Sequence, residues 1–483
     1  MKNFKLIGIL ILAGLLRLYH NTSVALWHDE AFSALYTRDY SWTEMMHRIG
    51  LDVHPPLYYI LLKLWTYVFG HSLISLRGVS TIFGVLTAWA GYLLVKKITK
   101  SDKIALFAGL LLAINPFQIQ YSLEARMYTL GTFLVLLSSY LLLRALETNE
   151  RKFWLGYAAA AAACLYTHYF LFFSVAAQVL YLCYILLKAK KWPLMLNAVM
   201  AAAAILVLYI PWIGSFLVQN QRVAAAYWIP AMDRWSVPGT VWKMAFGGQW
   251  TSHSLLVIAA IVGLFLLYYY FKKIKDDSKI LVLLGLLFPF IASIAFSLRS
   301  SIYLDRYFVF AALFLIIIAA VSIMQIQRYA VRRTLISLVV VVSLIAFFKN
   351  WKELDISRKP GMAKASEAVN EQFTKDDKIY VGSPFVFFTF KYYNRTGIAP
   401  KLYSAGSLET IPHFSGTALL TNGDLILDFK EAKKNDNVWL IWTNGFGSSK
   451  PNVPGSWSII SEREYEDAPD FKGKIVITRY HVN

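Results

Sequence analysis

Two adjacent carboxylates, Asp29 and Glu30, lie in Trp27-His28-Asp29-Glu30-Ala31-Phe32-Ser33, just beyond the first apolar run of the chain. A carboxylate there can take a proton from a hydroxyl, a role typically worth about 10²–10⁴-fold in rate. The same pair also fits a solvated helix N-terminus, where acids complement the dipole. In His54-Pro55-Pro56-Leu57-Tyr58-Tyr59 the prolines fix the start of a helix and hold His54 beside it, able to donate to a phosphate or a hydroxyl. A purely structural histidine fits that position too.

Tyr121, Glu124, Arg126 and Tyr128 crowd the link between two later apolar runs, where ionisable groups are expensive. Arginine suits bidentate phosphate binding, so Arg126 is a candidate phosphate ligand, with a Glu124–Arg126 ion pair as the alternative. Arg299 and Tyr303-Leu304-Asp305-Arg306-Tyr307 form a comparable link. It offers Arg306 as a second phosphate ligand oriented by Asp305, or else an interfacial Tyr and Arg anchor. His168, in Tyr166-Thr167-His168-Tyr169, is explained as readily by helix-packing hydrogen bonds.

The elements that must position these groups are membrane helices. Of 483 residues, 57% are hydrophobic and 16% charged, against about 45–50% and about 25% in soluble domains. Apolar runs fall at about 4–20, 55–70, 77–95, 103–119, 127–146, 153–170, 171–187, 193–217, 254–271, 279–298, 304–325 and 333–349. The net charge of +19 gathers in short loops, such as Lys96, Lys97, Lys100 and Lys103, or Lys272, Lys273, Lys275 and Lys279. That is the positive-inside pattern of cytoplasmic loops, not a nucleic-acid surface. Cys164 and Cys183 both lie inside apolar runs and define no disulfide framework.

The first run follows Lys2 and Lys5 and lacks a small-residue cleavage site, so it reads as an uncleaved span. Parity between a cytoplasmic N-terminus and the basic 96–103 loop leaves no room for 55–70 as a full span. It opens on two prolines, carries Lys63, and reads as a helix at the outer membrane face. About eleven spans remain, and all the polar clusters fall on the outer side. A carboxylate base with arginines is the inventory for breaking a sugar–phosphate bond.

The expected organisation is a membrane part at 1–350, with an outer catalytic loop at about 21–76, followed by a small extracytoplasmic α/β domain at 351–483. In the latter, Ala363–Phe373 reads as an amphipathic helix and Lys378–Val381, Val438–Trp442 and Lys474–Tyr480 as strands. No inverted repeat of the transporter type stands out, and there is no Walker-type loop or dinucleotide fingerprint.

The ordered set Trp-x-Asp-Glu-Ala-x-Ser, His-Pro-Pro-Leu-Tyr-Tyr, Arg77-x-x-Ser80-x-x-x-Gly84, Tyr-Ser-x-Glu-Ala-Arg-Met-Tyr and Asp-Arg-Tyr resembles the GT-C membrane glycosyltransferases. Within these it is similar to the protein O-mannosyltransferase and aminoarabinose transferase branch, over roughly residues 1–350. The resemblance implies inverting transfer from a polyprenyl-phosphate sugar to a glycolipid, cell-wall glycan or protein hydroxyl outside the cytoplasm, at the plasma (inner) membrane. It implies Asp29 as the essential acid with Glu30 as its neighbour in the catalytic pair, and Arg126 and Arg306 near the donor phosphate. From the residues themselves, His54 joins the expected phosphate ligands, and Tyr121, Glu124, Tyr128, Asp305, Tyr307 and His168 are expected to bind or support substrate. Some relatives in the wider superfamily use a divalent metal, but no ligand spacing here demands one. A lipid-linked sugar flippase is the alternative from another class.

Overall fold

In the computed structural model, which describes residues 2–225, 228–248, 251–353, 361–404, 406–467 and 473–483, the chain is mainly helical. Helix α1 (Lys2–Leu18) leads into three shorter helices, α2 (His28–Asp39), α3 (Trp42–Leu51) and α4 (Leu57–Phe69). Then follow α5 (Leu73–Thr99), α6 (Asp102–Ile114), α7 (Pro116–Ser122), α8 (Tyr128–Thr148), α9 (Arg151–Leu165), α10 (Leu171–Ala189) and α11 (Trp192–Ala225). The helical part closes with α12 (Ser236–Phe246), α13 (His253–Lys273), α14 (Ser278–Ser297), α15 (Val309–Met324) and α16 (Tyr329–Glu353).

Among the described residues eight helices are long and apolar enough to cross a membrane, or nine if α6 and α7 form one bent span. About eleven were expected. The difference lies in α1 and α9, whose 17 and 15 residues sit at or below the low end of the ~17–25 that a span takes. Run 55–70 is the separate 13-residue α4. Bare apolar side chains such as Leu206, Ile261, Leu264 and Ile345 cover the outward faces of α11, α13 and α16. Such faces need hydrocarbon around them, and the chain is an integral membrane protein.

One break in the helices matters for the site. Pro116 cannot continue α6, so the chain bends by 55°. Asn115 caps α7 by accepting from Gln118 N–H at 3.0 Å. The carbonyls freed at the end of α6 are not left bare: buried Arg17 of α1 donates to Ala113 O at 2.8 Å and Leu112 O at 3.3 Å. A buried cation is thereby consumed by backbone, and the link carrying Arg126 is fixed.

Beyond α16, residues 354–360 lie outside the described residues, and the expected division near 350 falls beside them. Helices α17 (Gly361–Gln372) and α18 (Pro384–Tyr393) accompany six strands. These are β1 (Lys378–Val381), β2 (Lys401–Tyr403), β3 (Leu425–Ile426), β4 (Asn437–Thr443), β5 (Trp457–Glu466) and β6 (Lys474–Val482). The sheet order is β3-β2-β1-β4-β6-β5, parallel from β3 to β4 and antiparallel from β4 to β5. Three strands were legible in the sequence; β2 and β3 are too short to show a pattern, and β5 is a largely exposed, polar edge. The two parts are not independent bodies. One hydrophobic core runs continuously from Ala31 and Leu35 of α2 to Phe387, Phe388, Ile441 and Ile475.

Candidate active site

Asp29 lies in the first turn of α2, and its neighbours hold that turn from several sides. Fully buried Glu30 accepts from Arg77 Nε at 2.8 Å and Nη2 at 2.7 Å, and from Ala125 N–H at 2.8 Å. Its carboxylate also caps the Trp27 N–H. One ion pair thus ties α2 to α5 and to the 123–127 link. At the far end of α2, Lys63 of α4 donates to Thr37 O at 3.2 Å and Tyr40 O at 2.6 Å, caging the helix C-terminus. From α18, Phe388 meets Phe32 edge-on with ring centroids 4.8 Å apart, and Tyr393 Oη accepts from Leu26 N–H at 2.8 Å.

The two adjacent acids therefore part company. Asp29, about a quarter exposed, faces a cavity, while Glu30 is committed to four donors on the other side of the helix. Glu30, expected beside Asp29 in the catalytic pair, has its carboxylate on Arg77 and Ala125 and is not on the cavity wall. The Arg77-x-x-Ser80-x-x-x-Gly84 pattern has a related meaning. At spacings of three and four the residues share one face of α5. Arg77 takes Glu30, Ser80 Oγ donates to Arg126 O at 3.1 Å, and a Cβ on Gly84 would lie 2.5 Å from Arg17 Nε and Ser122 Oγ.

Two guanidinium groups flank Asp29. Arg126 Nη2 lies 3.9 Å and Arg306 Nη1 3.7 Å from Asp29 Oδ2. Burial raises the Asp29 carboxyl pKa, but Arg126 and then Arg306 outweigh it, so the acid is held below the usual aspartate range. Arg126 is only 1% exposed and sits behind Asp29. Its Nη1 donates to Asp29 O at 3.2 Å and Tyr59 Oη at 3.1 Å, and its Nη2 faces His54 Nε2 at 3.0 Å. Arginine keeps its protons, so His54 must accept there and carry its own proton on Nδ1, which faces Asp52 Oδ2 at 3.4 Å. Of the two residues expected near a donor phosphate here, Arg126 lies behind Asp29 and off the cavity wall, whereas His54 contacts Arg126 and also lines the cavity. Arg306 does face the cavity, with its guanidinium over the Trp27 ring at 5.3 Å.

The cavity in front of Asp29 has a volume of about 520 Å³, within the usual range for small-molecule sites. Of the residues singled out in the sequence, His54, Tyr128, His168 and Tyr307 line it beside Asp29 and Arg306. Tyr121 lies behind Tyr128, ring centroids 4.8 Å apart, and Asp305 pairs with Lys243 at 2.8 Å. Glu124 is not on the wall. Sequence reasoning missed His28, Asp52, His413, Phe385, Phe414 and Phe446, all of which line the cavity. Asp52 had a signal, being two residues before His54. The C-terminal phenylalanines had none, because nothing in their local sequence points to residue 29.

Among the described residues no group of three or more His, Cys, Asp or Glu side chains is arranged to hold a metal. The donors near Asp29 do not fit a divalent cation either. Its carboxylate already faces two guanidinium groups, and the neighbouring Glu30 is occupied by Arg77.

Residues 53–214 match the family model described as dolichyl-phosphate-mannose-protein mannosyltransferase. Over 138 residues the chain is 33% identical to an uncharacterized protein of Aquifex aeolicus (strain VF5). That stretch is 28% of this chain and spans about a quarter, 27%, of that relative. By structure the chain is similar to ArnT from Cupriavidus metallidurans bound to undecaprenyl phosphate, with TM-score 0.63 and 13% identity, covering 98% of this chain and 97% of that one. It is also similar to the oligosaccharyltransferase AglB from Archaeoglobus fulgidus in complex with an inhibitory peptide and a dolichol-phosphate, with TM-score 0.55 and 12% identity, covering 83% and 64%. The arabinofuranosyltransferase AftD from Mycobacteria matches with TM-score 0.54 and 10% identity, covering 100% of this chain and 40% of that one. The chain shares the fold of these membrane glycosyltransferases.

Proposed function

We propose that this chain, a GT-C protein by fold, is an inverting glycosyltransferase that moves a sugar from a polyprenyl-phosphate donor to an acceptor hydroxyl, with Asp29 as base. The observation that carries the reading is Asp29 Oδ2 between Arg126 and Arg306 at 3.9 and 3.7 Å, at the wall of the 520 Å³ cavity. The undecaprenyl phosphate bound to ArnT and the dolichol-phosphate bound to AglB support the donor class.

The chemistry follows from the arrangement. The acceptor hydroxyl attacks the anomeric carbon opposite the phosphate, and its proton passes to Asp29 as the new bond forms. The bond between the anomeric carbon and the phosphate oxygen breaks, and polyprenyl phosphate leaves with the electron pair. Arg306 stabilises the charge that grows on it, and Arg126 adds positive potential from behind while keeping Asp29 ionised. Aromatic walls from Phe385, Phe414 and Phe446 suit the apolar face of a sugar or acceptor, so the C-terminal part forms one side of the acceptor entrance. In the cell the N-terminus is cytoplasmic and the cavity faces outward at the plasma membrane, as the basic loops suggest.

The test is Asp29→Asn in membranes supplied with polyprenyl-phosphate sugars, products being read by mass spectrometry. Transfer should fall by about 10²–10⁴-fold while expression and insertion stay normal. Normal turnover by the variant would remove Asp29 from the chemistry. Movement of lipid-linked sugar across liposomes without any glycosylated product would replace the reading by a flippase.

A further inference from the structure

His168 lies between α9 and α10, 5% exposed, and borders the cavity. Its Nδ1 accepts a hydrogen bond from Phe170 N–H at 3.0 Å. A backbone N–H can only donate, so the ring proton must sit on Nε2. Rings fix the imidazole plane on several sides: Tyr307 edge-on at 4.9 Å, Phe310 at 5.6 Å and Tyr128 at 6.0 Å. Burial, with Arg126 and Arg306 acting in the same direction, pushes its pKa well below the usual histidine range. The side chain is therefore a neutral imidazole with one set tautomer, next to the residue that follows Arg306. Its Nε2 has no hydrogen-bond partner among the described residues.

We propose that His168 is a catalytic residue whose Nε2–H donates to a non-bridging oxygen of the donor's phosphate, beside Arg306. The inference rests on the lipid-phosphate reading given above and adds to it a phosphate contact made by a neutral group. A donor-only group in positive surroundings is matched to an anionic oxygen. It keeps its proton throughout: the acceptor's proton goes to Asp29, the electron pair of the broken bond goes to the phosphate, and His168 strengthens its hydrogen bond as that charge grows. A neutral donor polarises the departing phosphate without the repulsion that a third cation would add beside Arg126 and Arg306.

The experiment measures binding of polyprenyl phosphate without a sugar to the full-length protein in nanodiscs, for wild type, His168→Phe and His168→Gln. Phe keeps the ring and removes the N–H; Gln returns an N–H at a similar reach. Loss of one hydrogen bond to a charged group should weaken binding of polyprenyl phosphate by about 10–100-fold in His168→Phe, with most of it restored in His168→Gln. If His168→Phe fails to fold, His168→Asn decides, because its shorter amide should bind the phosphate more weakly than His168→Gln. Unchanged affinity for polyprenyl phosphate, with loss only for the sugar-bearing donor, would make His168 a sugar contact and overturn the proposal. Equal weakening in the Phe and Gln variants would point to packing alone. Wild type that does not bind polyprenyl phosphate at all would overturn the functional reading itself, and this inference with it.

Discussion

Glu30→Gln separates the two adjacent acids by experiment. Glu30 and Arg77 are 0% and 1% exposed and meet through two hydrogen bonds of 2.8 and 2.7 Å. The amide keeps one acceptor oxygen, which can stay with Ala125 N–H, but turns an NH₂ toward the guanidinium. Donor then faces donor, and Arg77 is left as a buried cation without a counter-charge. Breaking a buried pair in this way costs about 3–5 kcal/mol, or roughly a 10²–10³·⁵-fold shift in the folding equilibrium. Removing the buried cation as well ends the donor–donor clash and leaves no uncompensated charge, so Glu30→Gln combined with Arg77→Met should recover much of the loss. Heat stability of the detergent-solubilised protein, read by size-exclusion fluorescence across the four members of the cycle, gives the coupling directly. Turnover per folded molecule should fall far less in Glu30→Gln than in Asp29→Asn. A Glu30→Gln protein as stable as wild type yet as inactive as Asp29→Asn would refute the reasoning, since Glu30 would then act in the chemistry.

Other consequences follow from the same geometry. Because Arg126 and Arg306 hold the Asp29 pKa down, the base form persists to acid pH, and the acid limb of kcat/KM should lie below the ordinary aspartate range. Donor phosphate beside Arg306 offsets part of that positive potential, so the limb of kcat should lie above that of kcat/KM, and Arg306→Gln should move the kcat/KM limb upward; a downward move would contradict the sign. Phe414→Ala and Phe446→Ala should raise KM for acceptor with little change for donor, in steady-state assays varying each substrate. Deletion of everything after residue 360 is a different perturbation: it strips α18 from α2, so it should destabilise the protein and abolish donor and acceptor use together, as a thermal-shift assay with binding would report. Gly84→Ala places a methyl group 2.5 Å from Arg17 and Ser122 and should cost about 1–3 kcal/mol in the same heat-stability assay.

Much of this protein is set by local chemistry that a sequence displays. Long apolar runs make membrane helices because backbone groups in hydrocarbon must bond internally. Prolines at 55, 56 and 116 and the capping Asn115 mark where helices start, and Lys63 rightly told against a full span at 55–70. Asp29, Arg126 and Arg306 were legible as polar groups in links between helices, where their cost demands a reason. Three-dimensional packing decided what each of them does. Asp29 and Glu30 are neighbours of like charge, and only the position of Arg77 on α5, which reaches across 47 residues of chain, determines that Glu30 is buried and Asp29 free to face the cavity. His54 and Arg126 lie 72 residues apart, so the contact between them arises only when the start of α4 and the 123–127 link meet. The C-terminal phenylalanines reach the cavity because a single core joins the two parts. Local periodicity carries burial and secondary structure, but it holds no record of which distant charge a side chain will face.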